Sequence, residues 1–266
     1  MTFLAIAGSR PLAKSPTEFE TGRFSGDDGV ELAWHALGEG RPLLLIHGYF
    51  SNAFTNWIRY GHAALIAAAG FRVIMPDLRG HGESDKPHDA SAYPPDILAQ
   101  DGFALITALG LTDYDLAGYS LGGRTVTRML VKGARPGRAV LCGMGLDGIM
   151  DTRGRGDYFR NVLTHLGSFE RGSSEWMTEA FLKTTKGDPD ALLMILDTFV
   201  DTTPAELAAI ACPVRVITGE DDDDNGSGRE LATAIPGATF RSIPGNHMSA
   251  VTRAELGQEI LHFLVA

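Results

Sequence analysis

Apolar positions along this chain fall into two alternating kinds of segment. Short continuous apolar runs recur at 42–46, 72–75, 115–118, 139–142, 214–218 and 239–243. Runs of this length suit strands buried on both faces of a parallel sheet. Segments 19–25 and 30–37 read as two further strands joined at Asp27-Asp28-Gly29, a hairpin turn signal. Helical patterns lie between the runs, at 63–69, 94–109 and 122–132. A last one at 255–265 places Leu256, Ile260, Leu261 and Leu264 at helical spacing. Strands alternating with helices predict an α/β protein with a mostly parallel sheet.

One stretch breaks the alternation. Residues 145–210 contain no convincing strand, and 157–166, 173–186, 189–200 and 204–210 all read as helices. Ser173 is placed to cap the second, and Thr203 before Pro204 is a cap-then-proline start for the fourth. The pattern predicts a helical cap between two sheet strands. The core is then expected over 18–144 and 211–266, and 1–17 reads as an irregular arm broken by Pro11 and Pro16.

Composition narrows the class. A chain of 266 residues, 44% hydrophobic and 21% charged, suits one large packed domain with an insertion. Lys plus Arg is 23 against 33 Asp plus Glu, a net charge of −10. An acidic chain repels phosphate backbones and anionic lipid, so neither nucleic acid nor a membrane surface is the expected partner. No stretch approaches the roughly 20 apolar residues of a membrane helix. The apolar start at 1–7 lacks the basic n-region of a signal peptide, so cytoplasm is the expected compartment. Cys142 and Cys212 cannot make a disulfide framework, and neither sits at metal spacing. No cofactor and no metal are expected, and the oligomeric state is not readable. Glycine is the one unusual count, at 32.

Several of those glycines frame candidate chemistry. Gly118-Tyr119-Ser120-Leu121-Gly122-Gly123 fits G-x-S-x-G, with an apolar strand running in and a helix running out. Such a turn is tight, so the residues two before and two after the serine must be small, as Gly118 and Gly122 are. Ser120 is the candidate nucleophile. A serine needs a base and an orienting carboxylate, which follow in the order Ser, acid, His in this architecture. His247, in the loop after the last strand, is the candidate base. The acid belongs just past the strand at 214–218, where Glu220 to Asp224 are five consecutive carboxylates. Asp222 is preferred, with Asp221 and Asp223 as alternatives and Asp147 as a distant one. Oxyanion donors are expected from the backbone N–H of Leu121, after the nucleophile, and of Tyr49, in His47-Gly48-Tyr49-Phe50. His47 reads as a structural histidine holding that loop. Phe50, Met144, Trp176 and Met248 are candidate pocket residues, with Phe159 and Phe181 beside them.

Together these motifs resemble the α/β-hydrolase superfamily, in particular its small capped serine esterases and lactonases. His47-Gly48-Tyr49-Phe50 is similar to the oxyanion motif, and Asp77-Leu78-Arg79-Gly80-His81-Gly82-Glu83-Ser84 to the D-x-R-G-x-G-x-S turn. Gly118 to Gly123, Gly219 to Asp222 and Gly245 to His247 are similar to the elbow, acid loop and histidine loop. Gly-Asn-His in place of the more frequent Gly-His is a departure. The resemblance implies an eight-stranded sheet with helices on both faces, a helical cap after strand 6 and cofactor-free serine hydrolysis. It makes Asp77 and Arg79 structural and Trp57 a packing residue. The expected substrate is a small neutral ester or lactone, since Arg153, Arg155, Arg160 and Arg171 form no obvious cluster awaiting a carboxylate. A carbon–carbon bond hydrolase and a ligand sensor that does not turn over are the competing readings.

Overall fold

The computed structural model describes residues 19–266. The arm expected over 1–17 lies outside the described residues. Eight strands form one sheet: β1 (Glu20–Ser25), β2 (Glu31–Leu37), β3 (Arg41–Ile46), β4 (Phe71–Pro76), β5 (Asp115–Tyr119), β6 (Ala139–Cys142), β7 (Val214–Gly219) and β8 (Thr239–Ile243). Their spatial order is β1-β2-β4-β3-β5-β6-β7-β8. Pairing is antiparallel for β1–β2 and β2–β4 and parallel for the remaining five pairs. All eight strands lie within a residue or two of where the apolar runs place them.

The continuous runs are apolar because both sheet faces are covered. Leu43 and Leu45 of β3 point into one core, with Trp57, Ile66, Val73, Met75, Leu256 and Ile260. Leu44 and Ile46 point into the other, with Leu105, Leu116, Val126, Leu141, Val216 and Leu231. Successive strand side chains face opposite sides, so a strand buried on both must be apolar throughout. The first face carries α1 (His62–Ala68) and α11 (Ala254–Val265), and the second carries α2 (Ile97–Ala108), α3 (Leu121–Val131) and α9 (Gly228–Ala234). β8 departs from the pattern. Thr239, Arg241 and Ser242 are exposed because it is a sheet edge.

Five helices fill the interval between β6 and β7: α4 (Leu146–Met150), α5 (Arg153–Thr164), α6 (Ser174–Thr185), α7 (Pro189–Leu196) and α8 (Pro204–Ala208). Ser173 caps α6 by accepting from Trp176 N–H, and Thr203 caps α8 in a reciprocal pair with Glu206. The apolar pattern misses α4, α9 and the one-turn α10 (His247–Ala250). All are too short to display a periodicity. For α9 a cap signature is present, since Ser227 accepts from Glu230 N–H, but it sits in a glycine-rich stretch. The helix expected from 94 begins at Ile97, because Asp96 takes φ 62° after two prolines. Among the described residues no helix is long and apolar enough to cross a membrane.

From β3 the chain crosses to β4 on one side, and from β5 to β6 on the other. The carboxyl ends of β3 and β5 therefore flank a crevice at the topological switch point, where α/β sheets place ligands.

Candidate active site

Ser120 sits at that crevice, between β5 and α3, with φ 54° and ψ −115°. This left-handed backbone is strained for a residue with a side chain, and the surroundings hold it. Ser120 N–H donates to Cys142 O at 2.8 Å, and Arg124 N–H donates to Ser120 O at 3.0 Å. The flanking glycines are steric requirements. A Cβ on Gly122 would lie 2.0 Å from Ile46 O, and one on Gly118 would lie 2.2 Å from Gly122 C and O. The serine side chain is thereby lifted to the mouth of the crevice.

His247 Nε2 lies 2.9 Å from Ser120 Oγ, and its Nδ1 lies 3.0 and 3.1 Å from the two oxygens of Asp222. Both His247 and Asp222 are buried. The two loops that carry them are zipped together beyond the sheet. Glu220 N–H donates to Ile243 O and Asp221 N–H to Gly245 O. This pairing turns Asp222 inward and leaves Asp221, Asp223 and Asp224 exposed. Asp147 is exposed beside Gly226, away from the histidine. Asn246 gives the Gly-Asn-His departure a physical role. Its side chain accepts from Met248 and Ser249 N–H, starting the helical turn α10 on which His247 is the first residue.

The loop after β3 lies against the elbow, since a Cβ on Gly48 would be 3.3 Å from Tyr119 O. Gly48 N–H is taken by Asn56 Oδ1 at 2.9 Å. Tyr49 N–H and Leu121 N–H have no hydrogen-bond acceptor among the described residues. His47 is fully buried, with Nδ1 on Gly48 O and Nε2 accepting from Leu78 N–H. Burial pushes its pKa down, which keeps it neutral and able to accept.

Above these groups opens a cavity of about 750 Å³. Its floor includes Ser120 and His247, and its roof comes from α5 and α6. That volume is in the range of small-molecule sites.

A model of the alpha/beta hydrolase family matches residues 43–256. This chain belongs to the α/β-hydrolase family. It is 29% identical to the non-heme chloroperoxidase CPO-A1 of Kitasatospora aureofaciens, over 89% of this chain and 97% of that protein. Its fold is similar to that of a thermophilic esterase from Thermogutta terrifontis, at a TM-score of 0.73 and 24% identity, covering 92% of this chain and 98% of the other. The enol-lactonase from Burkholderia xenovorans LB400 superposes with a TM-score of 0.72 at 23% identity, covering 92% and 100%. Family membership supports a hydrolase role.

Within this α/β hydrolase, two of the four candidate pocket residues line the cavity, Phe50 and Met248. Met144 and Trp176 do not. Met144 is buried beneath the elbow, against Gly123 and Gly148. On α6 the lining residues are Ser174, Met177, Thr178 and Phe181, one helical stripe that excludes Trp176. Trp176 stands outside, 36% exposed, with the Arg171 guanidinium 5.9 Å from its ring. Trp57 is a packing residue, fully buried in one core. Asp77 accepts from Ala53 and Glu83 N–H, and Arg79 binds Asp28 and Asp101, so both brace loops.

Sequence reasoning did not place four side-chain contacts, although Tyr49 is expected at the site through its backbone N–H and Arg155 is set aside with the other insertion arginines. Tyr119 OH donates to His247 O, and Tyr49 OH to Leu192 O in α7 of the insertion. Asn56 restrains Gly48, and Arg155 lines the cavity. Their motif neighbours gave a position for the two tyrosines but no partner, because each partner lies more than 100 residues away. Among the described residues, ligand atoms of Asp222, Asp224 and His247 lie close enough to share a metal ion, as do those of His88, Asp188 and Asp190. The first set is already engaged: His247 bonds Asp222, and Asp224 bonds Arg155. The second is a surface cluster, with His88 on Asp188.

Proposed function

We propose that this protein hydrolyses a neutral carboxylic ester or lactone through an acyl-enzyme. The observation that carries the reading is the unbroken hydrogen-bonded chain Ser120–His247–Asp222 on the floor of the cavity. Ser120 Oγ attacks the carbonyl carbon as His247 Nε2 takes its proton. Asp222 holds Nδ1–H and so selects the tautomer whose Nε2 accepts. Its charge also stabilises the imidazolium that forms. The N–H groups of Tyr49 and Leu121 receive the oxyanion, and Leu121 adds the favourable potential of the α3 N-terminus. His247 then returns the proton to the leaving alkoxide. Water activated by the same histidine cleaves the acyl-enzyme, releasing the acid and restoring Ser120.

The helical insertion acts as a cap in this reading. Its residues Tyr158, Phe159, Met177 and Phe181 supply apolar walls for the acyl or alcohol group. The similarity to a chloroperoxidase supports a second acceptor, hydrogen peroxide in place of water, which would convert the same acyl-enzyme into a peracid. Incubation with an alkyl p-nitrophenyl phosphonate, followed by peptide mass spectrometry, tests the nucleophile. The expected result is one adduct, on Ser120, and loss of p-nitrophenyl butyrate turnover. A Ser120→Ala variant that keeps the wild-type rate overturns the reading.

A further inference from the structure

We propose that Arg155 selects the substrate's second polar group: the preferred ester or lactone is uncharged and carries a keto or amide oxygen away from the scissile carbonyl. The inference rests on the ester-hydrolase reading above.

Of the four arginines in the insertion, Arg155 alone lines the cavity. Arg160 is tied to Asp197 at 2.6 Å, and Arg171 lies over Trp176, outside the cavity. Arg155 projects from α5 and is fastened on two sides. Nη2 donates to Asp224 Oδ2 at 2.5 Å. Its guanidinium carbon also lies 4.9 Å from the ring centres of both Tyr158 and Phe159. A planar cation held by a carboxylate and two rings has lost most of its freedom before any ligand arrives. A guanidinium has five N–H donors, and the contact with Asp224 is the one hydrogen bond Arg155 makes among the described residues. Donors remain for a ligand, and of the polar side chains lining the cavity, which include Thr55, Asn56 and Thr178, Arg155 alone is a cation that is charged at any working pH.

The partner of Arg155 decides what kind of acceptor it takes. Asp224 already balances its charge, and Asp221 adds a further carboxylate to the lining. A substrate carboxylate entering here meets one cation and two anions, so it gains no net attraction and loses its hydration. A neutral carbonyl oxygen accepts a charge-assisted hydrogen bond without that penalty. The pair thus turns an arginine, ordinarily an anion receptor, into a donor for uncharged oxygen.

Three ethyl esters of matched shape test this by pH-stat titration: ethyl pentanoate, ethyl 4-oxopentanoate and ethyl hydrogen succinate. In the wild type, kcat/KM for the 4-oxo ester is expected to exceed that for the pentanoate by about tenfold, the worth of one charge-assisted hydrogen bond. The succinate is expected below the pentanoate. Arg155→Met is expected to bring the 4-oxo to pentanoate ratio close to one. Asp224→Asn, which releases the guanidinium charge, is expected to raise the succinate to pentanoate ratio by about tenfold. Ratios within one preparation are insensitive to a loosened cap, which lowers all three rates together. A wild-type ratio near one for the 4-oxo ester, or a ratio that survives Arg155→Met, overturns the role of Arg155 while leaving the ester-hydrolase reading intact. An unchanged succinate ratio in Asp224→Asn overturns the charge-balance argument. Failure of the wild type on all three esters, together with no phosphonate adduct on Ser120, overturns the reading on which the inference stands.

Discussion

The hydroxyl of Tyr119 donates a 2.6 Å hydrogen bond to the backbone carbonyl of His247, and the two rings lie 5.4 Å apart. Tyr119 precedes the candidate nucleophile directly, so one residue ties the elbow to the histidine loop. The bond is buried, and a Cβ on Gly143 would lie 2.8 Å from the tyrosine ring, so that side is packed as well. Tyr119→Phe removes the donor and leaves a buried carbonyl unpaired. We expect kcat to fall by about tenfold, with KM changed by less than about twofold, as fits a positioning residue. Steady-state kinetics on p-nitrophenyl butyrate checks this; a rise in KM with unchanged kcat would assign Tyr119 to substrate binding instead.

Asp222→Asn is expected to lower kcat by about 10⁴-fold, because an amide cannot hold the histidine in the accepting tautomer. Asp221→Asn and Asp223→Asn are expected to stay within about threefold, since both side chains are exposed and neither bonds His247. Measuring all three on one ester separates the buried carboxylate from its neighbours.

Gly122→Ala tests the steric account of the elbow. The new methyl would have to occupy space 2.0 Å from Ile46 O, and backbone cannot yield cheaply there. We expect a loss of about 3 kcal/mol or more, which lowers Tm by about 6–12 °C in a chain of this size. Gly154→Ala, in α5 with no heavy atom within 4 Å of the new Cβ, is the control. It is expected to leave Tm unchanged or raise it slightly. Differential scanning calorimetry reads both.

His81 couples stability to pH. Burial, reinforced by the charge His47 would carry, pushes its pKa down from 6.5 to about 3. Above pH 6.5 both folded and unfolded chains hold it neutral, and its contribution is fully present. Between pH 6.5 and 3 the unfolded chain binds a proton that the folded chain refuses, so stability falls as pH falls. At pH 5 the loss from this group is about 2 kcal/mol, and His47, shifted in the same direction, adds to it. Urea midpoints at pH 7 and pH 5 measure the slope, and His81→Asn is expected to flatten it. A slope unchanged in that variant would place the acid sensitivity elsewhere.

Much of this site is legible in the amino-acid sequence. Gly118 and Gly122 around Ser120 reflect a local backbone demand, and local demands are written in neighbouring residues. The order Ser120, acid, His247 follows from which strand each loop succeeds. Asp222 was harder, because five consecutive carboxylates look alike along the chain. The hydrogen bonds between the 220–221 and 243–245 segments turn one of them inward. Met144 and Trp176 misled for a related reason. Both are large and apolar, but a pocket wall is selected by the direction a helix presents, and Trp176 falls between the lining positions of α6.

The amino-acid sequence by itself determined the alternation of strands and helices, the two-sided core and the strained turn at Ser120. These depend on periodicity and on steric limits between residues a few positions apart. Only the tertiary structure decided that Asp222 meets His247, that Tyr119 braces it and that Arg155 faces the cavity with its charge already taken by Asp224. Those pairs join segments 25 to 128 residues apart. Nothing local to either partner encodes such a contact, which arises when a shared sheet brings its loop ends to the same crevice.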